Sequence, residues 1–244
     1  MSVLPILCYH NVATAPRGAR FKLLYVSPER FERQLWALRR LGLRGVSTSE
    51  GLARLVAGTA RGCVVLTFDD GYADTLTTAA PLIKRYGFSA TCYIVSDAVG
   101  TYNRWDTEYL QETKSLMSRE QIEQWLAAGM EVGSHSCSHA RLQQLPRDGA
   151  RHEIAESRAT LRKMFGVPVE HFAYPFGQFA ADTVELVRHA GYVSAVTVAP
   201  GLARPAADQF RLPRLLVNGE RGLWKFLLQV ISPSERLRRR PRAP

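Results

Sequence analysis

Val64-Val65-Leu66-Thr67-Phe68-Asp69-Asp70-Gly71 is an apolar, β-favouring run that stops on two adjacent carboxylates and a glycine. A short run of this kind, bounded by a turn, reads as a strand buried on both faces, the pattern of a parallel sheet. In open and closed α/β sheets alike, chemistry collects beyond the carboxyl ends of the strands. Two neighbouring carboxylates there repel each other unless a cation or a shared proton relieves them. Further ligands for such a cation stand in Gly133-Ser134-His135-Ser136-Cys137-Ser138-His139, where histidines spaced i and i+4 follow another short strand-like run. One carboxylate, two imidazoles and a water suit Zn²⁺ or a similar divalent ion.

Outward from these stretches, strands and helices alternate. Residues 3–9 form an expected strand ending on His10. Ser27-Pro28-Glu29-Arg30 opens a helix with a capping serine and a proline at the first helical position. Its apolar positions Phe31, Leu35, Leu38 and Leu41 keep helical spacing, and Gly42 ends it. Expected strands follow at 43–46 and 89–95, with helices after Ser49 and from Gly71 to Tyr86. Residues 97–117, with Tyr102, Asn103, Trp105 and Asp106, keep no period and read as a long irregular stretch, a class that is usually functional. Ser118-Arg119-Glu120-Gln121 reads as a capping box for a helix that ends at Gly129, before a strand at 130–134. Helices at 148–165 and 181–190, strands at 171–174 and 192–198, an apolar segment at 212–217 and a helix after Glu220 complete the chain. Roughly seven such units, with no internal repeat or linker, argue for one mainly parallel α/β barrel. Residues 1–232 then read as a single catalytic domain and 233–244 as a disordered basic tail.

The formal charge of +10 is concentrated late, with five arginines in Arg236-Leu237-Arg238-Arg239-Arg240-Pro241-Arg242-Ala243-Pro244. Such a segment suits an anionic lipid surface. The remaining charge is unremarkable, and no nucleic-acid partner is expected. No stretch approaches the roughly 20 apolar residues of a spanning helix. Met1-Ser2-Val3-Leu4-Pro5 lacks the basic and apolar regions of a signal peptide. The expected location is therefore the cytoplasm, with the tail suited to the inner membrane face. Cys8, Cys63, Cys92 and Cys137 lie in or beside strand-like runs and read as reduced thiols packed as small hydrophobes.

Asp69 and Asp70 are neighbours, so their side chains leave the strand end in different directions. One can hold a metal while the other reaches a water beside it. Separately, each motif has a bland explanation: Asp-Gly is a common turn pair, and surface histidines usually carry no chemistry. Together they gain weight, because each ends an expected parallel strand and so faces the same rim. The i, i+4 histidines share one side if the segment turns helically, which would point Cys137 away. A metal in such a site acidifies water and polarises a carbonyl, with Asp69 as the general base.

Thr67-Phe68-Asp69-Asp70-Gly71 and His135-Ser136-Cys137-Ser138-His139 resemble the first two motifs of the polysaccharide deacetylases, carbohydrate esterase family four, also called the NodB-homology domain. Phe172-Ala173-Tyr174-Pro175-Phe176-Gly177 resembles the third motif, and the similarity covers residues 3 to about 217. The resemblance implies a distorted (β/α)₇ barrel and metal-dependent removal of acetyl groups from N-acetylhexosamine units of a polysaccharide, oligosaccharide or lipid-linked glycan. It implies Asp69 as the base, Asp70, His135 and His139 as ligands of Zn²⁺ (Co²⁺ or Ni²⁺ in its place), and the Phe176 N–H as the oxyanion donor.

Two features depart from the family pattern. Many members carry an arginine in the third motif that steadies the base; Ala173 stands there, and Arg214 in Arg211-Leu212-Pro213-Arg214 is the expected substitute. No late Leu-x-His motif follows Val198. His10 is the expected general acid in its place, as in family members whose strand order is permuted. Trp105, Tyr174, Pro175 and Phe176 are the expected sugar-binding residues.

Three other readings compete. A same-fold amidase would cleave a small non-sugar amide without releasing acetate. A non-haem iron oxygenase would use the same ligand types, although the adjacent Asp69 argues against it. A catalytically dead sugar-binding module would explain the missing motif arginine.

Overall fold

The computed structural model describes residues 3–110 and 113–231, so the basic tail expected at 233–244 lies outside the described residues. Eight parallel strands form the sheet: β1 (Ile6–Tyr9), β2 (Arg44–Val46), β3 (Cys63–Phe68), β4 (Thr91–Ile94), β5 (Glu131–Ser134), β6 (His171–Ala173), β7 (Ser194–Pro200) and β8 (Leu212–Leu216). β1 pairs with both β3 and β8, which closes seven strands into a barrel without β2. β2 takes the lower part of one β3 edge, where Arg44, Gly45 and Val46 face Cys63, Val64 and Val65. β4 takes the upper part of the same edge at Thr67 and Phe68. One strand edge divided between two partners is the distortion of this (β/α)₇ barrel.

The helices are α1 (Pro28–Arg40), α2 (Thr48–Val56), α3 (Ala80–Arg85), α4 (Arg104–Leu110), α5 (Arg119–Ala127), α6 (Arg147–Phe165), α7 (Ala181–His189) and α8 (Leu223–Ile231). Their starts follow local chemistry. Ser27 Oγ accepts the Arg30 N–H, and Ser118 and Gln121 form a reciprocal capping box at α5. Gly166 ends α6 with φ +66°, which a residue without Cβ adopts at little cost.

Strand alternation divides the core in two. Ile6, Val65, Tyr93, Ala173, Val196 and Leu212 fill the barrel interior. Leu7, Tyr9, Leu66, Phe68, Cys92, Phe172 and Leu215 face the helices. Behind the end of β3, Phe68 stacks on Tyr9 at 5.3 Å and meets the edge of Trp125 at 6.1 Å. Burying each such ring contributes about 1.5–3 kcal/mol. That packing makes the end of β3 a rigid platform.

The opposite end of the barrel is closed by α2, where a Cβ on Gly51 would run into the side chain of Val65. His171 joins Ser49 Oγ and Ser194 Oγ there, each at 2.8 Å, and Glu131 Oε2 accepts the Ser49 N–H at 3.1 Å. Burial pushes His171 down to about 4 and raises the carboxyl of Glu131, whose Oε1 lies 3.3 Å from His171 Nε2, so this floor is a buried polar plug.

Two expectations need correction. Residues 97–117 are not irregular throughout, because they hold α4 and two antiparallel bridges, Tyr72 to Leu116 and Tyr102 to Ser115. These bonds run to residues distant in sequence, so no local period announces them. The helix expected from Gly71 begins as a π-helical turn at Thr75–Ala79 and continues as α3. Pro81 lies at the start of α3 and has no N–H to donate to the preceding turn.

Candidate active site

Asp69 continues the β1–β3 ladder one residue past the strands, its N–H donating to Tyr9 O at 3.0 Å. Asp70 then leaves the strand direction with φ +74°, followed by Gly71 at +81°. The two carboxylates consequently enter two different clusters.

Asp69 belongs to the first. Arg214, on β8, donates from Nη1 to Asp69 Oδ1 at 2.7 Å and from Nη2 to Oδ2 at 2.6 Å. The guanidinium is fixed further by Nε to Thr197 O at 2.8 Å and Nη1 to Thr67 Oγ1 at 3.1 Å. Both partners are buried. Burial alone would raise the Asp69 pKa, but the Arg214 charge and hydrogen bonds outweigh it and bring it to about 2. The Cys8 thiol donates to Asp69 Oδ2 at 3.5 Å. A ring nitrogen of His10 lies within 4.8 Å of an Asp69 oxygen and of Cys8 Sγ. His10 Nδ1 is buried with no hydrogen-bond partner among the described residues.

Asp70, His135 and His139 form the second cluster, with Asp70 Oδ1 at 3.4 Å from His135 Nε2 and 3.3 Å from His139 Nε2. His135 Nδ1 lies 2.7 Å from Ala173 O, a carbonyl that only accepts, so Nδ1 carries the proton. In the neutral ring, Nε2 then aims a lone pair at a carboxylate oxygen. Two acceptors at that distance need a proton or a cation between them. Burial opposes charge on Asp70, yet the two imidazoles facing it hold its carboxyl well below the usual range. Burial lowers His139, whereas for His135 the pull of burial is overcome by Asp70 and Asp69 and its pKa rises. The donor set and this electrostatic tension both fit a divalent cation.

The histidine segment is not helical, contrary to one expectation. Ser136 and His139 adopt φ +67° and +61°, and Ser136 Oγ accepts the His139 N–H at 3.0 Å. That turn, rather than helical spacing, brings the two imidazoles together. Asp70, Ser136, His139 and Phe176 are the only non-glycine residues with positive φ among those described, and all four lie in this site.

Phe176, φ +57°, sits in the tight turn after β6, and no acceptor among the described residues takes up its N–H. At Gly177 a Cβ would run into Val198, so only glycine lets this turn lie against β7. The Phe176 ring meets the edge of His139 at 4.5 Å, while Trp105 stacks on His139 at 4.5 Å with 21° between planes. Tyr174 and Pro175, expected to touch sugar, do not reach the surface. Tyr174 packs in the core and its hydroxyl donates to Phe210 O at 3.0 Å. Cys137 is buried and turned towards His152 O, away from the clusters.

Several members of the site escaped the sequence. Thr67 and Cys8 stand two residues before Asp69 and His10, so the strand period was a usable signal for them. Asp106 carried only its place in the aperiodic stretch at 97–117, with no sign of its partners. It accepts from Tyr72 Oη at 3.0 Å and Asn103 Nδ2 at 3.4 Å, and burial with the nearby Asp70 charge pushes it up to about 6. Lys114 ties this segment to Asp74 at 2.6 Å and to Asn11.

A sequence model of the family "Polysaccharide deacetylase" matches residues 57–195. The putative polysaccharide deacetylase YxkH of Bacillus subtilis is 27% identical over 217 residues, covering 88% of this chain and 71% of the relative. The poly-beta-1,6-N-acetyl-D-glucosamine N-deacetylase of Staphylococcus epidermidis is 24% identical over 166 residues, covering 64% of this chain and 55% of the relative. Among solved structures, the Streptococcus pyogenes deacetylase PplD in complex with acetate superposes with a TM-score of 0.82 at 24% identity, covering 94% of this chain and 99% of that one. At that identity the likeness bears on the fold. No described helix is long and apolar enough to cross a membrane.

Proposed function

The chain belongs to the polysaccharide deacetylase family, and from that premise we propose that it removes acetyl groups from N-acetylhexosamine units of a glycan, with a divalent cation held by Asp70, His135 and His139. The observation that carries this reading is the division of labour between adjacent carboxylates. Asp69 is clamped by Arg214 and kept ionised, while Asp70 faces two imidazoles.

An N-acetyl group is an amide, and its hydrolysis needs a nucleophilic water, support for the oxyanion and a proton for the leaving amine. Held by Asp70, His135 and His139, a cation such as Zn²⁺, or Co²⁺ or Ni²⁺ in its place, would supply an acidified water and polarise the acetyl carbonyl. Asp69 is placed to take the proton of the attacking water, and Arg214 holds its carboxylate in one orientation through both oxygens. Clamped in this way, the carboxylate stays ionised throughout the neutral range. The Phe176 N–H donates to the oxygen that gains charge as the carbonyl becomes tetrahedral. His10 protonates the amine as the C–N bond breaks, releasing acetate and a free amino sugar.

The polymer named for the Staphylococcus epidermidis relative, poly-β-1,6-N-acetyl-D-glucosamine, is the first substrate to test. Trp105 and Phe176, which flank His139, are the sugar-stacking residues in this reading. The test is acetate release from β-1,6-linked N-acetylglucosamine oligomers and from a lipid-linked acetylated sugar, using metal-loaded protein and its Asp69→Asn variant. Release by the native protein alone is the expected result. Absence of release from every substrate, with metal bound, would overturn the proposal.

A further inference from the structure

α8 has an outer face that the catalytic site does not use. Phe226 and Val230 turn inward, and the helix lies against α1. Trp224, Leu228 and Ile231, spaced i, i+4 and i+7, face outward and are 70%, 41% and 39% exposed. A surface helix normally fills those positions with polar side chains. Beside it, α1 exposes Arg33, Trp36 and Arg40, with Trp36 52% exposed and the Arg40 guanidinium 5.9 Å from its ring centre.

Exposed cations outnumber exposed carboxylates along α1 and α8: Arg33, Arg39, Arg40, Arg221 and Lys225 stand against Glu29 and Glu220. From Arg221 to the last residue, the sequence holds seven Lys or Arg and one Glu, so this stretch carries +6 of the chain's +10. An exposed tryptophan-bearing apolar stripe among cations is the composition of a helix lying in a bilayer interface, with the apolar face entering the headgroup boundary and the cations meeting anionic lipid. We propose that the outer face of α8, with the basic sequence on either side of it, docks on an anionic lipid surface. A second copy of the chain would bring two positive surfaces together, which opposes association. A polyanion such as nucleic acid would answer the cations but leave the apolar stripe in water. An anionic bilayer answers both.

Vesicle co-sedimentation of the full chain tests this, with phosphatidylcholine alone and with added phosphatidylglycerol. Binding is expected on the anionic vesicles only, weakening as salt rises. Trp224→Ser with Leu228→Ser should reduce partitioning at least about tenfold while melting temperature stays native, because the lost apolar area lies outside the core. Neutralising Arg236, Arg238, Arg239, Arg240 and Arg242 to Gln should also weaken binding. Failure to bind anionic vesicles would overturn the proposal. So would undiminished binding by the Trp224/Leu228 variant, which would leave the arginines as the whole attachment. A concentration-dependent dimer abolished by the same variant, without vesicle binding, would identify a second copy as the occupant instead.

Discussion

The guanidinium of Arg214 grips both carboxylate oxygens of Asp69, at 2.7 and 2.6 Å, across 145 residues of sequence. Removing one partner of a buried pair strands the other charge, at a cost of about 3–5 kcal/mol. Arg214→Ala should therefore melt well below the native protein, turn over at least about 100-fold more slowly, and retain its metal. Arg214→Lys keeps the charge but not the planar fork, and should recover stability better than turnover. Native turnover in Arg214→Ala would sink the positioning role.

The same pair should be visible in acid. The Asp69 carboxyl is lowered from 3.8 to about 2 on folding. A depressed carboxyl stabilises the fold fully above its unfolded pKa and loses that contribution as pH falls through the folded value. Between about pH 4 and pH 2 the native protein should lose on the order of 2 kcal/mol from this group. Denaturant titrations of Asp69→Asn across that window should lack this component; identical slopes would contradict it.

Chelation with dipicolinate should abolish acetate release, and Zn²⁺, Co²⁺ or Ni²⁺ should restore it. By calorimetry, His139→Ala should lose metal affinity beyond the roughly 10–100-fold typical of disturbing a ligand's outer partners. Unchanged affinity would remove His139 from the ligand set.

His10→Ala should lower kcat by roughly 10²–10⁴, the range for a general acid, with metal content intact. Wild-type turnover in that variant would refute the assignment.

Trp105→Ala uncovers one face of His139. If the ring also stacks on sugar, KM should rise by the equivalent of about 1 kcal/mol, with a smaller change in kcat. A fall in kcat at constant KM would instead make Trp105 a support for the histidine.

The clusters were legible at Asp69, Asp70, His135 and His139 because each pair ends a strand, and strand ends in a parallel barrel share one rim. Arg214 could be named only as a substitute for a missing arginine, since nothing local ties β8 to β3. Tyr174, expected to touch sugar, is buried because the alternation that sends Ala173 into the barrel sends Tyr174 outward under the helices. Asp106 was flagged only as part of an aperiodic stretch; its place rests on Tyr72 and Asn103, contacts that no local period announces.

Sequence by itself determined the alternation of strands and helices, the parallel barrel and the order in which chemical groups reach its rim. These follow from residue spacing and side-chain polarity, which act over a few positions. Residue spacing left open which carboxylate meets the arginine and which the imidazoles; the family resemblance pointed to Asp69 and Asp70 respectively, and the tertiary structure makes that division. That choice depends on barrel closure, which brings β8 across β1 to β3, and on left-handed turns at Asp70, Ser136, His139 and Phe176. Such conformations are unfavourable for these residues in isolation and persist because the packed strands around them leave no alternative.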